Sequence, residues 1–134
     1  MLPEKIVEKL LELDGDKSIQ FIVLFGSQAL GNATPLSDVD IAVYYEGPPE
    51  KRFAFRRNAL GYLPDAIDLH IFQDLPLYVQ KEVLKGKMLY STDFQFTFSV
   101  YRRVIQEYDD FEKYINEYLE PLRQEAGMSH ESTG

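Results

Sequence analysis

Hydrophobic residues recur along the chain in two periods, and these periods predict alternating helices and strands. Apolar residues three and four positions apart predict amphipathic helices, whereas short apolar runs bounded by Gly, Pro, Asn or Asp predict buried strands. The predicted helices cover residues 3–13, 50–62, 75–85 and about 93–119, and the predicted strands cover residues 19–25, 38–45, 66–72 and 88–90. Residues 28–30 could begin a further short helix. This order indicates a mixed α/β fold.

The last predicted helix carries a single apolar stripe at steady three- and four-residue spacing. The stripe consists of Phe94, Phe98, Tyr101, Ile105, Tyr108, Phe111, Ile115, Tyr118 and Leu122. We expect its first half to pack against the sheet. A helix of about 27 residues is roughly 40 Å long, which is more than so small a domain can cover. The tyrosine-rich distal half is therefore a candidate interface, because tyrosine is enriched where proteins meet.

Length and composition limit the class of protein. The 134 residues are 45% hydrophobic, which is enough for one core and too few for two domains. We predict a single domain at residues 1–123 and a frayed tail at residues 124–134. The absence of cysteine, of a signal-peptide pattern and of a membrane-spanning apolar run favours a cytoplasmic protein. The net charge of −8 argues against free nucleic acid as the main partner, because phosphate backbones are bound by surplus Lys and Arg.

Two aspartates one residue apart begin the second predicted strand. Because successive side chains of a strand point to opposite faces, Asp38 and Asp40 are expected on the same face. Two adjacent carboxylates repel each other, and they are tolerated mainly when they share a cation. Hard oxygen ligands of this kind suit Mg²⁺ or Mn²⁺.

A glycine and a serine at the end of the first predicted strand supply the complementary chemistry. Gly26 lets the backbone turn sharply and approach a ligand, and Ser27 offers a hydroxyl and an N–H to an anion. The sequence therefore predicts a phosphate-binding turn beside a metal-binding pair of carboxylates.

A third aspartate, Asp68, lies in an otherwise apolar strand between Ile67 and Leu69. A carboxylate in an interior is costly without a partner, and a metal shared with the first two aspartates would be that partner. By alternation, His70 shares the face of Asp68. We interpret His70 as a hydrogen-bonding partner rather than a catalytic or metal-binding group.

The Gly26-Ser27 pair, the Asp38 and Asp40 pair after ten intervening residues, and Asp68 look like the signature of the polymerase-β-like nucleotidyltransferases. The short chain resembles their minimal branch (MNT), whose members pair with HEPN toxins. The resemblance implies a small mixed sheet flanked by helices. It also implies that the three aspartates are catalytic and hold two Mg²⁺ ions, with Mn²⁺ as an alternative, and that the Gly-Ser pair binds the nucleotide.

The resemblance further implies transfer of AMP from ATP to a hydroxyl, as expected of an antitoxin that modifies a HEPN toxin. One position departs from the pattern: many relatives have an arginine where this chain has Leu30. The run that contains Arg52, Arg56 and Arg57 could supply the missing cation, or it could be a solvated helix face. A binding-only antitoxin and an enzyme acting on a small molecule such as an aminoglycoside stay open, as does a homo-oligomer.

Overall fold

The computed structural model describes residues 1–26 and 39–125, which form a four-stranded sheet covered by helices on both faces. The helices are α1 (Pro3–Leu13), α2 (Pro49–Leu60), α3 (Leu77–Leu84), α4 (Phe94–Tyr114) and α5 (Glu120–Glu125), and the strands are β1 (Ile19–Phe25), β2 (Val39–Tyr45), β3 (Ile67–Ile71) and β4 (Lys87–Ser91). A 3₁₀ turn over Phe72–Asp74 follows β3, and a π-helical turn over Ile115–Leu119 joins α4 to α5. The predicted mixed α/β fold is confirmed.

The sheet has the strand order β3-β2-β1-β4. Strand β1 runs antiparallel to both of its neighbours, whereas β2 and β3 are parallel. A parallel pair requires a long crossover connection, and α2 supplies it here. The ends of β1 and the beginnings of β2 and β3 therefore meet at the same end of the sheet.

Each face of the sheet has its own hydrophobic core. One core joins α1 and α2 to the odd-numbered positions of β2 and β3, such as Ile41 and Leu69. The other joins α3 and α4 to the opposite face, where Phe21 and Phe72 are fully buried and their rings meet edge to face. The even-numbered positions of β2 and β3 point to this second face, which is where the predicted carboxylates lie.

Helix α4 begins at a side-chain cap. Asp93 accepts hydrogen bonds from the backbone N–H groups of Gln95 (3.0 Å) and Phe96 (3.2 Å). Such a cap satisfies two N–H groups that have no partner within the helix. The predicted start of this helix at residue 93 is thus correct to within one residue.

The face that α4 buries differs from the predicted one. Its buried residues are Thr97, Val100 and Val104, whereas Phe94 and Phe98 are 76% and 55% exposed. The expectation that the first half of the apolar stripe packs into the core is therefore wrong for most of its members. Phe21 of β1 and Phe72 of the 3₁₀ turn already fill this core, so the fully buried positions of the helix carry small and β-branched residues that let it approach closely. Tyr101 is the member of the predicted stripe that packs, partly buried, against this core.

Beyond the sheet, the chain stays helical through the π-helical turn and α5. The exposed apolar side chains in this part are Phe111, Tyr114, Tyr118 and Leu122. Residues 124 and 125 are helical, although we predicted a tail from residue 124; the domain boundary itself stays a prediction. The short helix predicted at residues 28–30 lies outside the described residues. Within residues 1–26 and 39–125, no helix combines the length and the apolar character that crossing a membrane requires.

Candidate metal and nucleotide site

Strand register brings two of the predicted aspartates together. Asp40 is aligned with Asp68 across the parallel β2–β3 pair, and on its other side it faces Phe25 of β1. Aligned residues of neighbouring strands project from the same face, and the strands are roughly 4.8 Å apart. The side chains of Asp40 and Asp68 are 29% and 47% exposed. The two carboxylates are therefore adjacent and accessible to solvent.

The exposure of Asp68 corrects one step of the sequence argument. Its apolar neighbours Ile67 and Leu69 suggested a carboxylate in an interior, but β3 is an edge strand and only the odd-numbered side chains are buried. Asp68 therefore carries little desolvation cost. The reason to expect a cation here is the neighbouring carboxylate of Asp40, because like charges at short range repel each other.

His70 completes a cluster with the two aspartates. Its Nε2 atom lies 3.2 Å from Oδ2 of Asp68 and 3.5 Å from Oδ1 of Asp40. One potential ligand atom from each of the three residues lies within 4.8 Å of the others. The ring of Phe25 lies 5.6 Å from the imidazole, measured between centroids. His70 makes the contact with a carboxylate that we expected, but the sequence interpretation did not include it among the candidate metal ligands.

Gly26 lies against the same carboxylate. Its φ angle is +79°, a conformation that residues with a side chain rarely adopt. A Cβ atom at this position would be 2.6 Å from Oδ2 of Asp40. The glycine therefore permits the backbone conformation of the turn after β1 and leaves room for the carboxylate of Asp40. Ser27 and Asp38, the other predicted members of the site, lie outside the described residues.

The donor set fits a divalent cation. Two carboxylate oxygens and an imidazole nitrogen are common ligands of divalent metals. The pocket beside Gly26, which a Cβ would fill, leaves Asp40 room to orient an oxygen toward an ion. Among the described residues, Asp40, Asp68 and His70 could thus hold such an ion.

The predicted basic run on α2 forms specific contacts at the edge of the sheet. Arg52 donates hydrogen bonds to both carboxylate oxygens of Asp74, at 2.7 and 3.3 Å, and to the carbonyl oxygen of Gly47 at 2.8 Å. The hydrogen bond to Asp74 raises the pKa of the Arg52 guanidinium above its usual range. Arg52 is therefore engaged within the fold, which does not favour a role in phosphate binding.

Arg56 occupies a different position from Arg52. Its Nε atom donates a 2.6 Å hydrogen bond to the carbonyl oxygen of Leu69, on the edge strand between Asp68 and His70. Together with His70 and Phe53 it lines a surface cleft of about 280 Å³. Arg56 thus lies beside the strand that carries Asp68 and His70.

Comparisons with known proteins identify the family of the chain. The family model described as "Polymerase beta, Nucleotidyltransferase" matches residues 4–95. A protein of Methanocaldococcus jannaschii that is named a protein adenylyltransferase is 31% identical over 99 residues, which cover 72% of this chain and 75% of the relative.

Solved structures give the same result at the level of the fold. A chain from a toxin–antitoxin structure with AMP-PNP superposes with a TM-score of 0.70 at 25% identity, covering 90% of this chain and 98% of the other. A chain from the complex of a tri-AMPylated Shewanella oneidensis HEPN toxin with its MNT antitoxin superposes at 0.65 with 21% identity, with the same coverage. The family model and the relative named a protein adenylyltransferase show that this chain belongs to the polymerase-β nucleotidyltransferase family and is a nucleotidyltransferase.

Proposed function

We propose that this nucleotidyltransferase is an antitoxin that transfers AMP from ATP to a hydroxyl of a HEPN toxin in a Mg²⁺-dependent reaction. The observation that carries the proposal is the alignment of Asp40 with Asp68 beside Gly26, in a chain of this family. The relative named a protein adenylyltransferase and the similar toxin–antitoxin chain solved with AMP-PNP support the donor and the kind of acceptor. Such a reaction would take place in the cytoplasm.

Each site residue has a proposed role. Asp38, Asp40 and Asp68 hold the divalent ions, which when bound neutralise charge on the phosphates of ATP. Gly26 and Ser27 bind the β- and γ-phosphates through the turn after β1. Asp68, the most exposed described carboxylate of the cluster, accepts the proton of the acceptor hydroxyl. The hydroxyl oxygen forms a bond to the α-phosphorus, and pyrophosphate leaves.

A transfer assay with purified HEPN toxin tests the proposal. The toxin is the small helical protein that we expect to be encoded beside this one. With α-labelled ATP and Mg²⁺, the wild-type protein should transfer label to the toxin, and Asp40→Asn and Asp68→Asn should abolish the transfer. Asp65→Asn is the matched control, because it removes an exposed carboxylate three residues before Asp68. Full transfer by the doubly substituted protein would contradict the mechanism.

Exposed apolar residues along the last helices are the proposed toxin-binding surface. The rings of Phe94 and Phe98 stack with centroids 6.4 Å apart, and those of Tyr114 and Tyr118 lie 5.2 Å apart. All four residues are more than half exposed, and aromatic residues are enriched at protein interfaces. The net charge of −8 favours a partner with a basic surface.

A binding-only antitoxin is the second candidate. The feature that favours it is Leu30, which cannot donate a hydrogen bond to phosphate. In that case the protein would neutralise the toxin by complex formation while label transfer is undetectable, and ATP with Mg²⁺ would give no heat in a calorimetric titration. Transfer to an aminoglycoside in place of the toxin would instead identify a small-molecule enzyme.

A further inference from the structure

We propose that His70 is a metal ligand and that it makes the acidic site prefer first-row transition metals to Mg²⁺. The inference rests on the proposed nucleotidyltransferase function and deepens it by naming the metal preference of the same site. It starts from the donor atoms that the fold brings together, which are two oxygens and one nitrogen.

The distances around His70 match those between the ligands of a metal ion. In an octahedral site with bonds of about 2.1 Å, neighbouring ligand atoms are about 3.0 Å apart. In a tetrahedral zinc site, with bonds of about 2.0 Å, they are about 3.3 Å apart. The Nε2 atom of His70 lies 3.2 Å from Asp68 and 3.5 Å from Asp40. Both distances from His70 are therefore close to those of a metal site, and one ligand atom of each of the three residues lies within 4.8 Å of the other two.

The fold places the imidazole of His70 beside the two carboxylates. His70 lies two residues after Asp68 on the same strand, so both side chains leave the sheet on one face. Phe25, aligned with Asp40 on β1, places its ring beside the imidazole with a centroid distance of 5.6 Å. The ring nitrogen that approaches the carboxylates is Nε2 in both contacts. One edge of the imidazole is therefore directed at the position where the carboxylates would bind an ion.

The identity of the donor atom decides the preference. Mg²⁺ is a hard ion that binds oxygen and keeps several waters, so it gains little from an imidazole nitrogen. First-row transition metals bind more tightly when a nitrogen ligand is added, and the affinity of such a site is lower for Mn²⁺ than for Co²⁺. A site made of Asp40 and Asp68 alone would suit Mg²⁺, whereas the addition of His70 favours Mn²⁺ and Co²⁺.

Calorimetric titration of the full chain with Mg²⁺, Mn²⁺ or Co²⁺ tests the preference without ATP or toxin. We expect the affinity to rise from Mg²⁺ to Mn²⁺ to Co²⁺. His70→Gln keeps a hydrogen-bond donor but removes the ring nitrogen. Loss of an outer-shell partner already costs roughly 10–100-fold in metal affinity, so loss of a ligand should cost at least tenfold for Mn²⁺ and Co²⁺. The Mg²⁺ affinity should stay within about threefold. His130→Gln, which replaces the other histidine, should change none of these affinities.

Pulsed electron paramagnetic resonance on the Mn²⁺-bound wild-type protein gives an independent measurement that needs no variant. Coupling from a directly bound ¹⁴N nucleus should be present, and it should disappear in His70→Gln but persist in His130→Gln. Absence of nitrogen coupling, or equal losses of Mn²⁺ and Mg²⁺ affinity in His70→Gln, would overturn the inference while leaving the enzyme proposal intact. If no metal binds to the wild-type protein, or if Asp68→Asn binds metals equally well, the proposed metal-dependent function fails as well.

Discussion

Substitution of Gly26 by alanine should damage the site more than the fold. A residue with a Cβ atom at a positive φ costs about 1–2 kcal/mol relative to glycine. For a chain of this length, that corresponds to a decrease in Tm of roughly 4–7 °C. The protein should therefore remain folded at room temperature, since a cost of this size lies below the usual stability of a domain.

The effect on Asp40 is the larger one. The added Cβ would lie 2.6 Å from Oδ2 of Asp40, and ordinary contact begins at 3.4 Å, so the oxygen must move by about 0.8 Å. Catalytic groups must be held within roughly 0.5 Å of their productive positions. A misplacement near 1 Å can cost about 100-fold in rate. We expect a loss of this size in kcat/KM for AMP transfer, together with weaker Mn²⁺ binding.

Gly15→Ala is the matched control for the glycine-to-alanine change. A Cβ at Gly15 would have no neighbouring atom within 4 Å among the described residues. This control should keep full activity and metal affinity, and its Tm should stay constant or rise slightly. Thermal melting, Mn²⁺ titration and label transfer on the two variants separate the effects. If Gly26→Ala melts earlier but retains wild-type metal affinity and transfer rate, the argument that Gly26 makes room for Asp40 is wrong.

Three further substitutions test other parts of the proposal. Tyr118→Asp should weaken toxin binding at least tenfold in a pull-down titration with little change in Tm. Asn116→Asp, which adds the same charge at an exposed position two residues away, should not weaken binding. A large drop in the Tm of Tyr118→Asp would instead indicate core packing. Leu30→Arg should tighten Mg²⁺-ATP binding about tenfold or more in a calorimetric titration, because a charge-assisted contact to phosphate contributes roughly 1.5–3 kcal/mol. A small gain in ATP affinity, combined with weaker ATP binding by Arg56→Ala, would show that Arg56 already contacts the phosphates. Burial raises the pKa of Tyr101 from 10.0 to about 12. Between these pH values the unfolded chain binds fewer protons than the folded chain, so the free energy of unfolding should fall as the pH rises. Chemical denaturation of Tyr101→Phe should show a smaller fall over the same pH range.

The strands around the site were predictable from local pattern. The apolar run that ends at Gly26, and the run that begins beside Asp40, each have the length and the flanking turn residues of a buried strand. The pattern also gives the face on which each carboxylate lies. It does not give the alignment of β2 with β3, which decides that Asp40 meets Asp68 and that His70 lies close to both. That alignment depends on how α2 packs across the sheet, and tertiary packing of this kind is not encoded in strand periodicity.

The buried face of α4 was not predictable from hydrophobicity alone. The apolar stripe marked the largest side chains, and periodicity assumes that the largest side chains are buried. In the fold, Phe21 and Phe72 occupy the space beneath the helix, so Val100 and Val104 are the residues that fit there. The position of Asp68 was misjudged for a related reason. A largely apolar strand is expected to be buried on both faces, but β3 is an edge strand, and its even-numbered side chains remain partly exposed to solvent.

The sheet supports the metal-binding half of the proposed site, which consists of Asp40, Asp68 and His70. Asp40, Asp68 and His70 all project from paired strands, and the register of those strands sets the distances between their ligand atoms. Sites built on strands hold their geometry more precisely than sites built on loops. The metal-binding half should therefore be preorganised by the sheet before any nucleotide binds. Because the sheet sets this geometry independently of position 30, a change such as Leu30→Arg should alter ATP affinity while the affinity for Mn²⁺ alone stays constant. A parallel change in both affinities would show instead that metal and phosphate are bound as a single coupled unit.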